Sequence, residues 1–434
     1  MNIDEWVVLG LFIITFLLIF SERVPRTTAA LVGALALMGF GMFEGFVSEE
    51  EALGFIKADV ILLLLGMMIV VGVLIDTGFF EFVAIKIGQF SKGNLWLLLV
   101  ALATVTTFLS MVIDNVTTII LMTPIIIELA RKTETDPIPL LIVATLFSNI
   151  GGVGTLVGDP PNLIIASHAD FGFNDFLIHL FPLVIVIFLI SLGLMKPLYA
   201  KWCQEGTCNF DSVSKNTGWD RIMDEDPWDK ITDRKTFDRT MWVLGLIIVL
   251  FLFHDQLNIT PAFVAMIGGG MALFVNLSDP ERVLHQVEWG TILFFAALFV
   301  IVGIVDEVGL LKELSAWIVH VSHEETWKAA LLILWLSAFG SAVVNRVPFT
   351  VAFAAIIAHM HVENINIDTL YWALAMGVGF GSNLTPLGSS AGTVMLGLSE
   401  REGYHISWSE WLRPALPTTL VGLVVSSFVL VFFF

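Results

Sequence analysis

Four short stretches of this sequence set polar side chains inside otherwise apolar runs. The first holds Ser110, Asp114, Asn115, Thr117 and Thr118, and the second Ser148, Asn149, Thr155, Asp159 and Asn162. The third carries Ser341, Asn345, Arg346 and Thr350, and the fourth Ser382, Asn383, Thr385, Gly388, Ser389 and Ser390. Carboxylates, amides and hydroxyls beside the exposed carbonyls of a broken helix are hard oxygen ligands, which suit a cation such as Na⁺. Asp114 and Asp159 are ionisable groups in an apolar frame. Each would cost about 2.5 kcal/mol or more if it faced lipid, so each marks an ion path unless it is held structurally. The structural alternative is a carboxylate that caps a half-helix, where the dipole favours negative charge. Asp159, directly before Pro160-Pro161, fits that alternative better than Asp114 does. Arg346 is permanently charged and presents a rigid fork of donors to anions. It either pairs with Asp114 or Asp159 and locks two tips together, or faces a bound anion.

Other chemistries find no support. The chain has no His-Glu-x-x-His pair, and an intramembrane enzyme is not expected. No cofactor is expected beyond Na⁺ or H⁺ as a coupling ion. The two cysteines, Cys203 and Cys208, are too few for a disulfide framework and lack partners for a zinc site. His359 and His361 are the one close pair among nine histidines and read as a loop rim. Asp76, Asp306 and Glu307 end apolar runs; surface solvation is the simpler reading and a proton relay the alternative.

Composition sets the frame for these residues. Of 434 residues, 57% are apolar and 14% charged, against about 45–50% and about 25% in soluble domains. The apolar runs are continuous and of the length a helix needs to cross hydrocarbon, which excludes a β-barrel with its alternating ten-residue segments. The net charge of −19 excludes a nucleic-acid partner, which needs a basic face. Lipid is the expected surrounding, and a multi-pass protein of the cell inner membrane the expected location.

Apolar runs occur at 6–20, 27–43, 59–76, 94–113, 116–130, 138–167, 176–195, 241–256, 261–277, 289–306, 327–344, 347–360, 368–398 and 412–433. The first follows Asp4 and Glu5 rather than a basic segment, so it reads as a span and not as a cleaved leader. The segment 201–240 is polar, with seven Lys or Arg and nine Asp or Glu, and is the candidate linker. The two halves match at a near-constant spacing. Asp76-Thr-Gly78 answers Glu307-Val-Gly309, and Ser110-Met-Val-Ile-Asp-Asn-Val116 answers Ser341-Ala-Val-Val-Asn-Arg-Val347, both 231 residues apart; Thr155-Leu-Val-Gly158 answers Thr385-Pro-Leu-Gly388 at 230. Shared membrane composition would not hold one register over such a distance.

Basic residues indicate orientation. Arg23 and Arg26 after the first span, Lys92, Arg131 and Lys132 around the 94–130 pair, and Lys196 and Lys201 all lie on flanks that read as cytoplasmic. The 94–130 pair is then a re-entrant hairpin with Asp114-Asn115 at its tip, and 138–167 crosses with a glycine- and proline-rich break midway. The expected architecture is all-α, with about ten spans plus two hairpins divided between scaffold and transport regions. Repeat one is 1–200 (hairpin 94–130, broken helix 138–167), the cytoplasmic linker is 201–240, and repeat two is 241–434 (hairpin 327–360, broken helix 368–398). Five crossings per half is odd, so the second half inserts upside down. Inverted repeats with discontinuous helices at the midplane build the binding sites of secondary transporters. A broken backbone there is tolerated only where protein or a water-filled cavity satisfies it. The short apolar stretches 79–90 and 310–321 read as interfacial helices that carry the moving part.

Ser148-Asn-Ile-Gly-Gly-Val-Gly-Thr-Leu-Val-Gly-Asp-Pro-Pro-Asn162 resembles the signature of the ion transporter superfamily, in particular the branch with NhaD-type sodium/proton antiporters, the melanosomal P protein, arsenite/silicon efflux pumps and a citrate-transporter-like domain. Ser110 to Pro124, Ser21-Glu-Arg-Val24, Val287 to Val300 and Gly397 to Tyr404 resemble further stretches of that branch. The resemblance implies two hairpins, a homodimer and elevator-like motion of a transport domain. It assigns cation binding to Ser110, Asp114, Asn115, Ser148, Asn149 and Thr155. This chain departs from it at Asn345-Arg346, where antiporters of this type carry Asp-Asn, and at Gly381-Ser-Asn-Leu-Thr385, where they carry Gly-Gly-Asn-Gly-Thr.

Two functions follow as expectations. One is a sodium/proton antiporter in which Na⁺ and H⁺ compete for Asp114, with Thr118, Asp159, Asn162, Ser341, Asn345, Arg346, Ser382, Asn383, Thr385 and Ser389 completing the site. The other is a sodium- or proton-coupled transporter of an anion or metalloid oxyanion, of the arsenite/silicate or carboxylate type, with Arg346 as the substrate clamp.

Overall fold

A computed structural model describes residues 3–21, 23–205, 218–276, 280–360 and 365–433. Cys208 and His361 lie outside them. The described residues form helices without strands. In the first half these are α1 (Ile3–Phe20), α2 (Arg26–Glu44), α3 (Glu49–Gly54), α4 (Ala58–Asp76), α5 (Phe79–Ser91), α6 (Leu95–Val112), α7 (Asn115–Thr133), α8 (Ile138–Val153), α9 (Pro160–Ala169), α10 (Phe173–His179) and α11 (Phe181–Leu198). Two short helices follow, α12 (Ala200–Glu205) and α13 (Gly218–Asp224). The second half comprises α14 (Arg234–Leu257), α15 (Pro261–Val275), α16 (Pro280–Gln286), α17 (Trp289–Glu307), α18 (Leu310–Ser322), α19 (Thr326–Val343), α20 (Arg346–Ala358), α21 (Ile367–Gly381), α22 (Ser390–Arg401) and α23 (Trp408–Phe432). Eight of these helices are long and apolar enough to cross a membrane.

The spacing seen in the sequence recurs in the helix bounds. α4, α5 and α6 begin at 58, 79 and 95, and α17, α18 and α19 at 289, 310 and 326; their last residues keep the same offset of 231. Packing is reciprocal as well. α4 lies against α15 as α17 lies against α2, and α7 lies against α22 as α20 lies against α9.

Burial separates core from periphery. α8 and α21 are buried along nearly their whole length, as helices apolar on every face must be. Among the eight long apolar helices α4 and α17 are the most enclosed, whereas α14 presents Trp242, Val249 and Phe253 outward. Glycine permits a close crossing, because a Cβ on Gly66 of α4 would collide with the Ala265 carbonyl of α15.

The polar segment 201–240 is more than a linker. It contains α12, α13 and a 3₁₀ turn at Pro227–Lys230, and α14 already begins at Arg234, where the Asp233 carboxylate accepts from Lys235 N–H at 2.9 Å. That cap starts the helix seven residues before the apolar run, which alone could not reveal it. Trp219 and Ile222 are buried. Gln89 of α5 donates to the Ile222 and Glu225 carbonyls, and Lys132 of α7 pairs with Glu225 at 2.9 Å. The 176–195 run is also divided, since α10 precedes α11 and Pro182 opens the latter. Asp76 is engaged by Arg282 (3.2 Å) and Gln286 (2.8 Å), and His359 by Asp306.

Candidate transport site

The breaks between α6 and α7, α8 and α9, α19 and α20, and α21 and α22 bring four helix starts to one place. Asp114-Asn115-Val116, Asp159-Pro160, Arg346-Val347 and Ser390 all line a cavity of about 20 Å³, room for one or two waters. Each start has its own local cause. Asp114 precedes α7 and accepts from Thr117 N–H at 2.9 Å and from the Thr117 hydroxyl at 2.6 Å. Asn345 precedes α20 and accepts from Val347 N–H at 3.2 Å; Ser389 precedes α22 and accepts from Gly392 N–H at 3.0 Å. α9 opens instead with Pro160-Pro161, and the Asp159 side chain makes no cap bond.

The two aspartates are held differently. Asp114 caps a helix, while Asp159 is directed to Arg346 at the start of α20, with Nη1–Oδ2 at 2.6 Å and both side chains 2% exposed or less. The reason is the proline pair. Proline has no N–H, so the first turn of α9 offers fewer donors to a capping carboxylate, and the arginine takes it instead.

An amide chain continues from this pair. Arg346 Nη2 donates to Asn149 Oδ1 at 3.4 Å, which also accepts from Asn115 Nδ2 at 2.9 Å. Asn149 Nδ2 in turn donates to Asn383 Oδ1 at 2.8 Å and to the Ser389 hydroxyl at 3.0 Å. Ser148 donates to the Ser110 hydroxyl at 3.2 Å. These residues are all buried. The sequence candidates Ser110, Asp114, Asn115, Ser148, Asn149, Asp159, Arg346, Asn383 and Ser389 are thus brought together, and Asn345 joins them through the Ser390 hydroxyl at 3.1 Å.

Five others are engaged with the backbone. The Thr155 hydroxyl donates to the Met111 carbonyl and accepts from Gly158 N–H at 3.1 Å, and Thr385 does the same with Ala342 and Gly388 (3.0 Å). Asn162 Nδ2 donates to the carbonyls of Gly152, Val153 and Thr155. Ser341 and Ser382 donate to carbonyls three residues earlier. These groups satisfy the backbone exposed by the breaks, as an irregular segment at that depth requires. Gly158 and Gly388 complete the tie: a Cβ on Gly158 would collide with the Ser110 carbonyl, and one on Gly388 would fall 2.9 Å from that of Ser341. The Thr118 hydroxyl, Asn115 Oδ1 and Asp159 Oδ1 are buried and have no hydrogen-bond partner among the described residues.

Sequence reasoning missed two wall residues. Glu288 precedes α17 and accepts from the Thr291 hydroxyl at 2.9 Å, and Arg26 opens α2 and donates to the Ser390 hydroxyl at 2.7 Å. Both line the cavity. A charge at the first turn of an apolar run was their only signal, and that is equally the pattern of a headgroup anchor. The side-chain charges around the cavity are Asp114, Asp159 and Glu288 against Arg26 and Arg346.

Broken helices meeting at a buried, charged cavity within an apolar helical bundle define a multi-pass membrane transporter. The sequence pattern of the citrate transporter family, CitMHS, matches residues 16–377, and the chain belongs to that family. It is 34% identical over 427 residues to an uncharacterized transporter of Mycobacterium tuberculosis strain H37Rv, covering 97% of this chain and 96% of that one. It is 29% identical to the human P protein, over 94% of this chain and 58% of that longer one. The crystal structure of the Alcanivorax borkumensis YdaH transporter superposes with a TM-score of 0.58 at 15% identity, over 99% of this chain and 98% of that one, a likeness of fold.

Proposed function

We propose that the chain is a sodium/proton antiporter of the cell inner membrane that works as a homodimer by elevator-type alternating access. The observation that carries the reading is the set of buried oxygens at the first hairpin tip. Asn115 Oδ1 and Thr118 Oγ1 stand three residues apart on α7, without partners, beside the Asp114 carboxylate. Residues at that spacing share a helix face, and uncommitted hard oxygens next to a carboxylate suit a small cation. Ser110, Ser148 and Asn149 supply further oxygens; Thr155 contributes by holding the break against the hairpin. A proton on Asp114 removes the charge that holds Na⁺, so one carboxylate serves the two ions in turn. Obligatory exchange follows if the transport region moves only when Asp114 is neutralised by one or the other.

The two halves are read as inverted repeats, because five crossings precede the second half and the packing is reciprocal. Asn345 stands where antiporters of this type carry their second aspartate, and Arg346 beside it adds a fixed positive charge, already matched by Asp159. That leaves a single exchangeable carboxylate on the hairpin tips.

A second reading is favoured by one observation. Four helix N-termini aim at the cavity, and such termini attract anions. With the match to citrate transporters, this supports a carboxylate or oxyanion that takes Arg346 from Asp159. Purified protein in liposomes with an internal pH dye separates the readings across Na⁺, Li⁺, K⁺, arsenite and citrate. The double variant Asp159→Asn/Arg346→Gln retains Na⁺-dependent proton movement under the first reading and loses anion uptake under the second.

A further inference from the structure

The cavity at the four helix starts has very different walls toward its two neighbouring vestibules. One vestibule, of about 360 Å³, is bounded by Phe20, Val24, Asn345 and Leu387. Arg26, Phe294 and Ser390 line both this vestibule and the inner cavity. The other vestibule, of about 560 Å³, surrounds Lys57, Asp59, Asp170 and Asp255 and shares no lining residue with the inner cavity.

The partition on the first side is made by side chains. Arg26 Nη1 donates to the Ser390 hydroxyl at 2.7 Å, and the same oxygen accepts from Asn345 Nδ2 at 3.1 Å. The guanidinium lies 5.5 Å from the Phe294 ring centroid, within the range of a cation–π contact. Arg26 belongs to α2, which packs on α17, whereas Ser390 begins α22, which packs on α7. Of the three residues shared by vestibule and cavity, Arg26 alone has a long, flexible side chain that can rotate without movement of backbone. Side-chain rotation is far faster than the collective motion of helices.

We infer that Arg26, held by Ser390, is the gate residue between the transport cavity and the vestibule on the side of the α1–α2 connection. The inference rests on the transport cavity, not on the identity of the coupling ion. Because the gate is a fixed cation, it also sets a charge barrier: each cation that enters from this side passes a guanidinium, and each anion is drawn to it.

The test is thiol accessibility. In a background with Cys203 and Cys208 changed to Ser, Val347→Cys places a thiol on the inner cavity. Arg23→Cys and Asp255→Cys, at exposed positions, mark the two membrane faces. A membrane-impermeant methanethiosulfonate reagent is applied to sealed vesicles of each orientation. Arg26→Gln is expected to raise the labelling rate of Val347→Cys by roughly tenfold to a hundredfold, the scale set by a lost charged hydrogen bond, and only from the face that labels Arg23→Cys. Ser390→Ala, which keeps the charge and removes its acceptor, should give a smaller increase from that same face, and it decides the matter if Arg26→Gln does not fold. Arg26→Lys, which can still donate, should stay within a few-fold of the parent. Unchanged rates in Arg26→Gln and Ser390→Ala, or an increase from the face that labels Asp255→Cys, would overturn the assignment even if the transported species proved to be an anion.

Discussion

Breaking the Asp159–Arg346 pair from one side and then from both tests how the two halves are joined. The 2.6 Å contact is buried on both partners. At an effective dielectric constant near 20, unit charges at that separation attract by about 6 kcal/mol, a ceiling that desolvation lowers. Removing one partner leaves an uncompensated buried charge, which costs about 3–5 kcal/mol, whereas replacing both is often neutral. Arg346→Gln and Asp159→Asn are therefore each expected to destabilise strongly, and the double variant to recover most of the loss. The readout is a double-mutant cycle on unfolding free energies in detergent. A coupling energy of about 2 kcal/mol or more would lie well above the 0.3–0.5 kcal/mol scatter of independent sites. Additive losses within that scatter would refute the claim that this pair ties the α9 start to the second hairpin tip.

Thr155→Val orphans the buried Met111 carbonyl and the buried Gly158 N–H, at about 1–3 kcal/mol per group; Thr385→Val should cost less, because Gly388 N–H keeps the Thr385 carbonyl at 3.2 Å, and in detergent melts no drop for Thr155→Val would contradict the tie. Gly158→Ala should be destabilising by about 1–3 kcal/mol through overpacking against the Ser110 carbonyl. Gly193→Ala, with open space at its Cβ position, should be neutral or slightly stabilising in the same assay, because alanine is the better helix former.

Much of this arrangement is legible in the sequence, for identifiable reasons. The hairpins and broken helices are visible because glycine, proline and polar residues interrupt runs that are otherwise too apolar to leave the membrane. The 231-residue register is visible because matched residues make matched contacts: Thr155 and Thr385 bind equivalent carbonyls, and Asp114 and Asn345 both cap helices. What the sequence conceals is direction. It places Asp114 and Asp159 each beside a helix start but does not say which side chain turns inward to the helix and which outward. That choice depends on Arg346, nearly two hundred positions along the chain. Arg26 and Glu288 escaped notice for a related reason. At the ends of apolar runs they look like headgroup anchors, and only the packing of α2 and α17 turns them toward the cavity. The helices within 201–240 are hidden because α13 is held by docking on α5 and α7 rather than by its own periodicity.

The most direct measurement is sodium-driven proton movement in proteoliposomes, comparing the parent chain with Asp114→Asn. Asparagine is as good a helix cap as aspartate, so the variant should fold and keep α7 in place while losing the carboxylate on which the two ions compete. A NaCl step should discharge a preset pH gradient through the parent protein and leave it intact with the variant. Equal discharge by both proteins, or a discharge that citrate evokes and Na⁺ does not, would contradict the account.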